Sequence, residues 1–397
     1  MLKRRLVFCL AVLMVIFLAV AVAGCGGRAA NDITGHKTKE AAVQSAGPDK
    51  DADRIQVSKA AKDGAAKNDT VQEKTLGKTA DTKEPTGTKA SPGTASDQDA
   101  FLEKGEGKTG QTAATVHLVV TKDFGNSKLL DKKVRMEPGW TVFDVLQANC
   151  QVKTGYSGGL ITGINGVESQ SGGFSGPRED WFFFVNGICS DVGAGDYELR
   201  AGDSVWWDYH SWDTFGLVNS AVIGCYPEPF LHGYRGKTRP TTVLCAPGSL
   251  DLGQTLKEAL KTSGVSSVQV QVLNESLLSA RSGPTIVVGE WRHLKDSPYL
   301  DKLNQGYRRN GTFVHFTEDG VELLDYRGEP ARVYATNAAV IAATGEGLGD
   351  GSPLWLVIGI DREGLEQAVA ALAGRPEKIS GLYSAAVVEG KVMRLPF

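Results

Sequence analysis

From Gly26 to about Ala113 the chain is built of Lys, Asp, Glu, Thr, Ala, Gly and Ser, with Phe101 its only aromatic residue and almost no large aliphatics. Such a segment cannot bury enough apolar surface to offset the entropy of ordering its backbone, so disorder is expected there. Whatever forms a core must lie beyond it. Acids and bases alternate along the segment, as in Lys50-Asp51-Ala52-Asp53-Arg54, which describes a flexible polyampholyte and not a binding arm of one sign. As a coil of about 88 residues its span is on the order of 50 Å, enough to act as a tether. The 397 residues leave room for two or three domains, and a hydrophobic share of 41% suits ordinary globular cores.

The N-terminus has the layout of a secretory signal: Lys3, Arg4 and Arg5, an apolar run from Leu6 to Val20, then small residues from Ala21 to Gly24. The four residues Val22-Ala23-Gly24-Cys25 resemble the lipobox of bacterial lipoproteins. That resemblance implies cleavage before Cys25, a diacylglyceryl thioether on its sulfur and an acyl chain such as palmitate on the new N-terminus. Two or three chains anchor stably. The competing reading is an uncleaved transmembrane helix, because the apolar run nearly reaches the roughly 18 residues that suggest a span. On either reading the bulk of the chain sits on the extracytoplasmic face of the cell membrane. Removing the three signal cations from the 43 Lys+Arg leaves 40 against 46 Asp+Glu, which argues against a nucleic-acid partner.

Four cysteines remain after Cys9 and Cys25: Cys150, Cys189, Cys225 and Cys245. They allow three disulfide connectivities, and buried free thiols are the alternative. No Cys-x-x-Cys or Cys/His cluster occurs among them, so no metal site is expected.

Order is expected from residue 114. Thr115 to Thr121 alternates like a strand, Gly125-Asn126 signals a turn, and Lys133 to Met136 reads as a second strand. Thr141 with Asp144 three residues on marks a helix N-cap. Further strands read at Leu160 to Ile164 before Asn165-Gly166, at Trp181 to Val185 before Asn186-Gly187, and from Asp203 to Tyr209. The run Trp181-Phe182-Phe183-Phe184-Val185-Asn186-Gly187, followed by Tyr197-Glu198-Leu199-Arg200-Ala201-Gly202-Asp203-Ser204-Val205-Trp206-Trp207-Asp208-Tyr209, resembles the closing half of the transcobalamin-like C-terminal domain family. The resemblance covers about Thr115 to Trp212. It implies a β-grasp module that binds a corrinoid such as cobalamin, or another small ligand, and an uptake transporter as a partner.

From about Thr214 strand-like runs alternate with capped helices. The candidates are Thr241 to Cys245, a helix from about Leu252 to Lys261, Val268 to Leu273, Thr285 to Val288, Thr312 to Phe316, Leu354 to Ile360, and a helix with Leu365, Val369 and Leu372 on one face. The fold class is therefore α+β: signal 1–24, disordered linker 25–113, β-grasp domain 114–213 and a separate α/β domain 214–397.

Five of the seven tryptophans fall in the β-grasp region. Because strand side chains alternate, Trp206 and Trp207 must point to opposite faces, and Trp181, Phe183 and Val185 must part from Phe182 and Phe184. One face is core; the other meets a ligand, solvent or the second domain. The ligand-contact candidates are Trp207, Tyr209, Trp181, Phe174, Trp206, Tyr156 and Asn165, the last few because a Gly/Ser-rich loop from Glu168 to Asp180 adjoins the strands. No Gly-x-Ser-x-Gly elbow or His-Glu-x-x-His is present, and Gly345-Glu346-Gly347-Leu348-Gly349-Asp350-Gly351 lacks the Lys-Ser/Thr ending of a phosphate loop. The expectation is a non-catalytic protein that captures a small ligand at the cell surface and carries no cofactor beyond the Cys25 lipid. A structural or adhesive lipoprotein that binds protein or wall glycan is the alternative.

Overall fold

The computed structural model describes residues 114–155, 160–171, 176–212 and 219–397. Cys25, the signal, the tether, Tyr156 and Phe174 lie outside them.

β-branched alternation builds β1 (Thr115–Lys122), and β2 (Ser127–Arg135) returns antiparallel to it. Helix α1 (Val142–Gln147) starts where the sequence places it. Thr141 Oγ1 accepts from Asp144 N at 3.2 Å, and the Asp144 carboxylate accepts from Thr141 N at 2.8 Å, a closed capping box. A small antiparallel sheet follows, made of β3 (Val152–Gly155), β4 (Leu160–Ile164) and β5 (Val167–Glu168). Then come β6 (Gln170–Ser171), β7 (Arg178–Val185), β8 (Ile188–Cys189) and β9 (Ser204–Ser211). The main sheet runs β2-β1-β9-β7-β6 with β8 on β7; β1 and β9 are parallel and the other pairs antiparallel. This is the strand order of a β-grasp lobe. Both Asn-Gly pairs, at 165–166 and 186–187, hold positive φ at each residue, the geometry a two-residue hairpin turn needs.

The second lobe opens with β10 (Thr241–Cys245), α2 (Leu250–Thr262), β11 (Val268–Val272), α3 (Glu275–Ser279), β12 (Thr285–Glu290) and α4 (Pro298–Gln305). It continues with β13 (Val314–Thr317), β14 (Gly320–Leu324), β15 (Pro330–Tyr334), β16 (Ala338–Thr344), β17 (Leu354–Gly359), α5 (Arg362–Gly374), β18 (Ser384–Val388) and β19 (Lys391–Leu395). Seven strands form one sheet in the order β11-β10-β12-β17-β16-β18-β19, parallel through β17 and antiparallel beyond it. Strands β13, β14 and β15 make a separate antiparallel sheet.

Helices α2 and α5 cover one face of the large sheet, with Leu256, Leu260, Leu365, Val369 and Leu372 buried against Val243, Ile286 and Val357. Helix α5 comes so close to β16 that a Cβ on Gly364 would overlap the Ala338 backbone, so only glycine fits there. On the opposite face a single core holds Phe313, Phe316 and Leu323 together with Ile358, Tyr383 and Ala386, and also Val119, Phe184 and Trp206 of the β-grasp sheet. The two lobes therefore share a core. The four described thiols are all free: Cys189 and Cys245 are buried, and Cys150 and Cys225 are partly so.

Candidate functional site

Alternation sorts the aromatic strands as the sequence predicts, and the structure supplies what each face meets. Trp181, Phe183 and Val185 of β7 and Val205, Trp207 and Tyr209 of β9 point into the β-grasp lobe's own core, beneath α1 residues Val142, Val145 and Leu146. Phe184 and Trp206 point the other way and are covered by the second lobe. Neither face is open: Trp206 is 1% exposed, Trp207 2%, Tyr209 4% and Trp181 7%. These four side chains form internal packing and do not make an exposed ligand platform, because the lobes close on both sides of the sheet. Their polar tips are tied inward as well. Trp181 Nε1 donates to Val167 O at 3.1 Å, Tyr209 OH to Glu168 O at 2.8 Å, and Trp206 Nε1 to Thr121 Oγ1 at 2.7 Å, while Trp207 Nε1 is buried without a partner. Asn165 serves its turn, where its Oδ1 accepts from Gln151 N at 2.9 Å.

The seam between the lobes carries a buried polar cluster. Asp208 of β9 is fully buried and accepts hydrogen bonds from five donors. Oδ1 takes Gly125 N at 2.9 Å and the Thr121 hydroxyl; Oδ2 takes Phe124 N at 3.0 Å, His210 Nδ1 at 2.8 Å and Tyr383 OH at 3.2 Å. His210 lies between the rings of Phe124 and Phe182, each with its centroid at 4.4 Å, and its Nε2 has no partner. Burial and the adjacent Asp208 charge together push the Tyr383 phenol well above its ordinary range. The cluster ties β9 to the β1–β2 turn and, through Tyr383, to the second lobe, so it fastens the seam.

An open site does exist elsewhere. A cleft of about 320 Å³ is lined by Ser220 from the segment after β9, Tyr299 and Leu303 of α4, Arg309, and the loop from Gly345 to Leu348 that leaves β16. These residues are scattered over 129 positions of sequence between Ser220 and Leu348, so no local motif could announce the cleft. Its walls are held rigidly. Ser220 Oγ accepts from Gly345 N at 2.8 Å and donates to Gly345 O at 3.2 Å, and Thr344 Oγ1 donates to Asn310 O at 2.7 Å. The Gly-rich loop is shaped by Arg281, whose side chain is only 3% exposed. Its guanidinium donates to Ser352 O at 3.0 Å, Tyr299 OH at 2.7 Å and Glu346 Oε1 at 3.1 Å, and Asp350 accepts from Glu346 N at 3.0 Å and Ser352 N at 2.8 Å. Tyr299 OH also donates to Glu346 Oε1 at 2.5 Å. That phenol, with Arg281 behind it, holds the Glu346 carboxyl below its ordinary value. The segment from Gly345 to Gly351, which reads in sequence as a connection, is thus a preorganised wall. Leu348 stands at the mouth, 50% exposed.

A family model described as "Domain of unknown function (DUF4430)" matches residues 139–211, which lie inside the β-grasp lobe. No curated protein matches the chain. Among solved structures, haptocorrin in complex with Cbi is similar over 25% of this chain and 26% of its own, at 19% identity and a TM-score of 0.22. The chain thus spans about a quarter of haptocorrin's length. A protein from Ruminococcus gnavus ATCC 29149, whose description names metal binding, is similar over 25% of this chain and 97% of its own, at 13% identity and a TM-score of 0.20. Among the described residues no group of three or more His, Cys, Asp or Glu side chains is placed to hold a metal ion.

Proposed function

We propose that the chain is a lipoprotein, anchored through Cys25 on the extracytoplasmic face, that binds a small ligand without transforming it, and that the ligand occupies the cleft between α4 and the Gly345–Leu348 loop. The observation that carries this reading is the cleft itself: about 320 Å³ of space with preorganised polar walls and an apolar lip. The chemistry of the lining favours binding over turnover. Ser220 and Thr344 direct their hydroxyls at backbone atoms, no base is hydrogen-bonded to either, and the lining contains no histidine, lysine or cysteine.

A corrinoid handed to an uptake transporter is the finer reading implied by the family resemblance. It would have to engage the cleft through an appended group, because the space equals roughly ten waters at about 30 Å³ each. The test uses the full chain in detergent, titrated calorimetrically with cobinamide and cobalamin and screened by saturation-transfer NMR against small metabolites. Leu348→Trp, which fills the mouth, should weaken the ligand that is found by about tenfold or more, while Trp207→Phe should leave its affinity nearly unchanged. Binding that survives Leu348→Trp and fails in Trp207→Phe would return the site to the aromatic strands. Retention of purified wall with no small ligand found would favour the adhesive reading.

A further inference from the structure

The cleft's hydrogen-bonding groups fall into two sets. One set is already engaged: Ser220, Thr344 and Asn310 each donate to a backbone carbonyl, Thr344 Oγ1 to Asn310 O and Asn310 Nδ2 to Leu303 O at 2.9 Å, while Asn310 Oδ1 takes Thr312 N at 3.0 Å and Ser220 Oγ takes Gly345 N. The other set is what a ligand would meet. Arg309 is exposed and its guanidinium makes no hydrogen bond or ion pair among the described residues. Glu346 engages Tyr299 and Arg281 through Oε1 alone, which leaves Oε2 as an open acceptor. One unpaired cation and one half-used carboxylate therefore line the same small space, with Leu303 and Leu348 supplying apolar sides.

We infer that the cleft takes a small zwitterion of amino-acid or dipeptide size, its carboxylate on Arg309 and its ammonium on Glu346; this rests on the cleft being the ligand site. The two charges decide the class. A guanidinium presents a fork of N–H donors that matches a carboxylate in a two-pronged geometry. A pure anion would satisfy Arg309 and face the Glu346 charge. A pure cation would do the reverse, and a neutral sugar would leave the guanidinium without a counter-charge. Only a molecule with both charges completes both partners. Size agrees, since a space of about ten waters accommodates on the order of ten to fifteen non-hydrogen atoms. Arg281 and Asp350 lock the Glu346 backbone in advance, so little ordering would accompany binding.

The experiment measures binding to the full chain in detergent for four probes: L-alanyl-L-alanine, propionate, propylamine and glucose. The dipeptide should bind at least about tenfold tighter than any of the other three and should lose about tenfold or more in Arg309→Gln, a substitution at an exposed side chain that leaves the fold intact. Glu346→Gln should weaken the dipeptide and narrow its advantage over propionate. Propionate or glucose binding as well as the dipeptide would overturn the zwitterion assignment, as would dipeptide affinity unchanged in Arg309→Gln. In either case loss of binding in Leu348→Trp would still uphold the cleft, whereas dipeptide binding untouched by both Arg309→Gln and Leu348→Trp would overturn the cleft as well.

Discussion

Replacing Asp208 with Asn tests whether the seam cluster holds the lobes together, because the substitution keeps volume and removes charge and one acceptor. Two amide orientations are available. With the oxygen at the Oδ2 position, the new NH2 faces the Gly125 N–H, 2.9 Å from the original oxygen, and the Thr121 hydroxyl. The hydroxyl can turn, but the peptide N–H is stranded. The other orientation strands Phe124 N–H and turns the NH2 on His210 and Tyr383, which is worse. In the better case one buried donor is left unmade, at about 1–3 kcal/mol, and the remaining bonds fall from charge-assisted strength, about 1.5–3 kcal/mol each, toward about 1. Together these give a loss of roughly 4 kcal/mol. That is a large share of the 5–15 kcal/mol that ordinarily holds a protein folded. The assay is equilibrium urea unfolding read by tryptophan fluorescence, with Trp206 the reporter at the seam. Tyr383→Phe, which deletes one of the five donors, should lose only about 1 kcal/mol. A loss below about 1 kcal/mol for Asp208→Asn, or one no larger than that of Tyr383→Phe, would refute the reasoning.

Gly364→Val should destabilise by about 2 kcal/mol or more, since the side chain would overlap the Ala338 backbone, and thermal unfolding of the variant would show it. Burial pushes the Cys189 thiol up to about 12 and the Cys245 thiol up to about 11, so at pH 8 iodoacetamide should leave both unmodified until urea unfolds the chain; mass spectrometry of the native protein would reveal any early label. The Tyr299 hydrogen bond lowers the Glu346 carboxyl from its ordinary 4.5, so the clamp with Arg281 is present above that value and is lost as pH falls below it through the folded-state value. An NMR titration of the Glu346 carboxyl should place its midpoint below 4.5; a midpoint above it would contradict the clamp.

Local chemistry was readable from sequence where a few adjacent residues decide it. The Thr141 capping box and the two Asn-Gly turns stand where their motifs fall. Boundaries moved by a residue or two, as with α2, which begins at Leu250 with Ser249 at the cap position and has Asp251 within its first turn. Strand β16 escaped notice because Ala338–Thr344 is mostly alanine, whose small side chain signals no strand; the large sheet buries it all the same. Alternation predicted that Trp206 and Trp207 part company but left open whether the second face meets a ligand, solvent or the second domain, since the cover comes from residues as distant as Tyr383. The cleft was illegible for the same reason: Arg281 and Glu346 meet across 65 positions of sequence.

The seam also sets a schedule for making the molecule. Chains are synthesised from the N-terminus, and early parts begin to fold first. The β-grasp lobe can complete its inner core once Tyr234 has been made, yet Phe184 and Trp206 lack their full cover until Tyr383 has been made and β19 brings Arg394 Nη2 to within 2.7 Å of the Phe124 carbonyl. For that interval the nascent protein shows an aromatic face to its surroundings, so truncation anywhere before the last two strands should yield a sticky fragment in place of a working module.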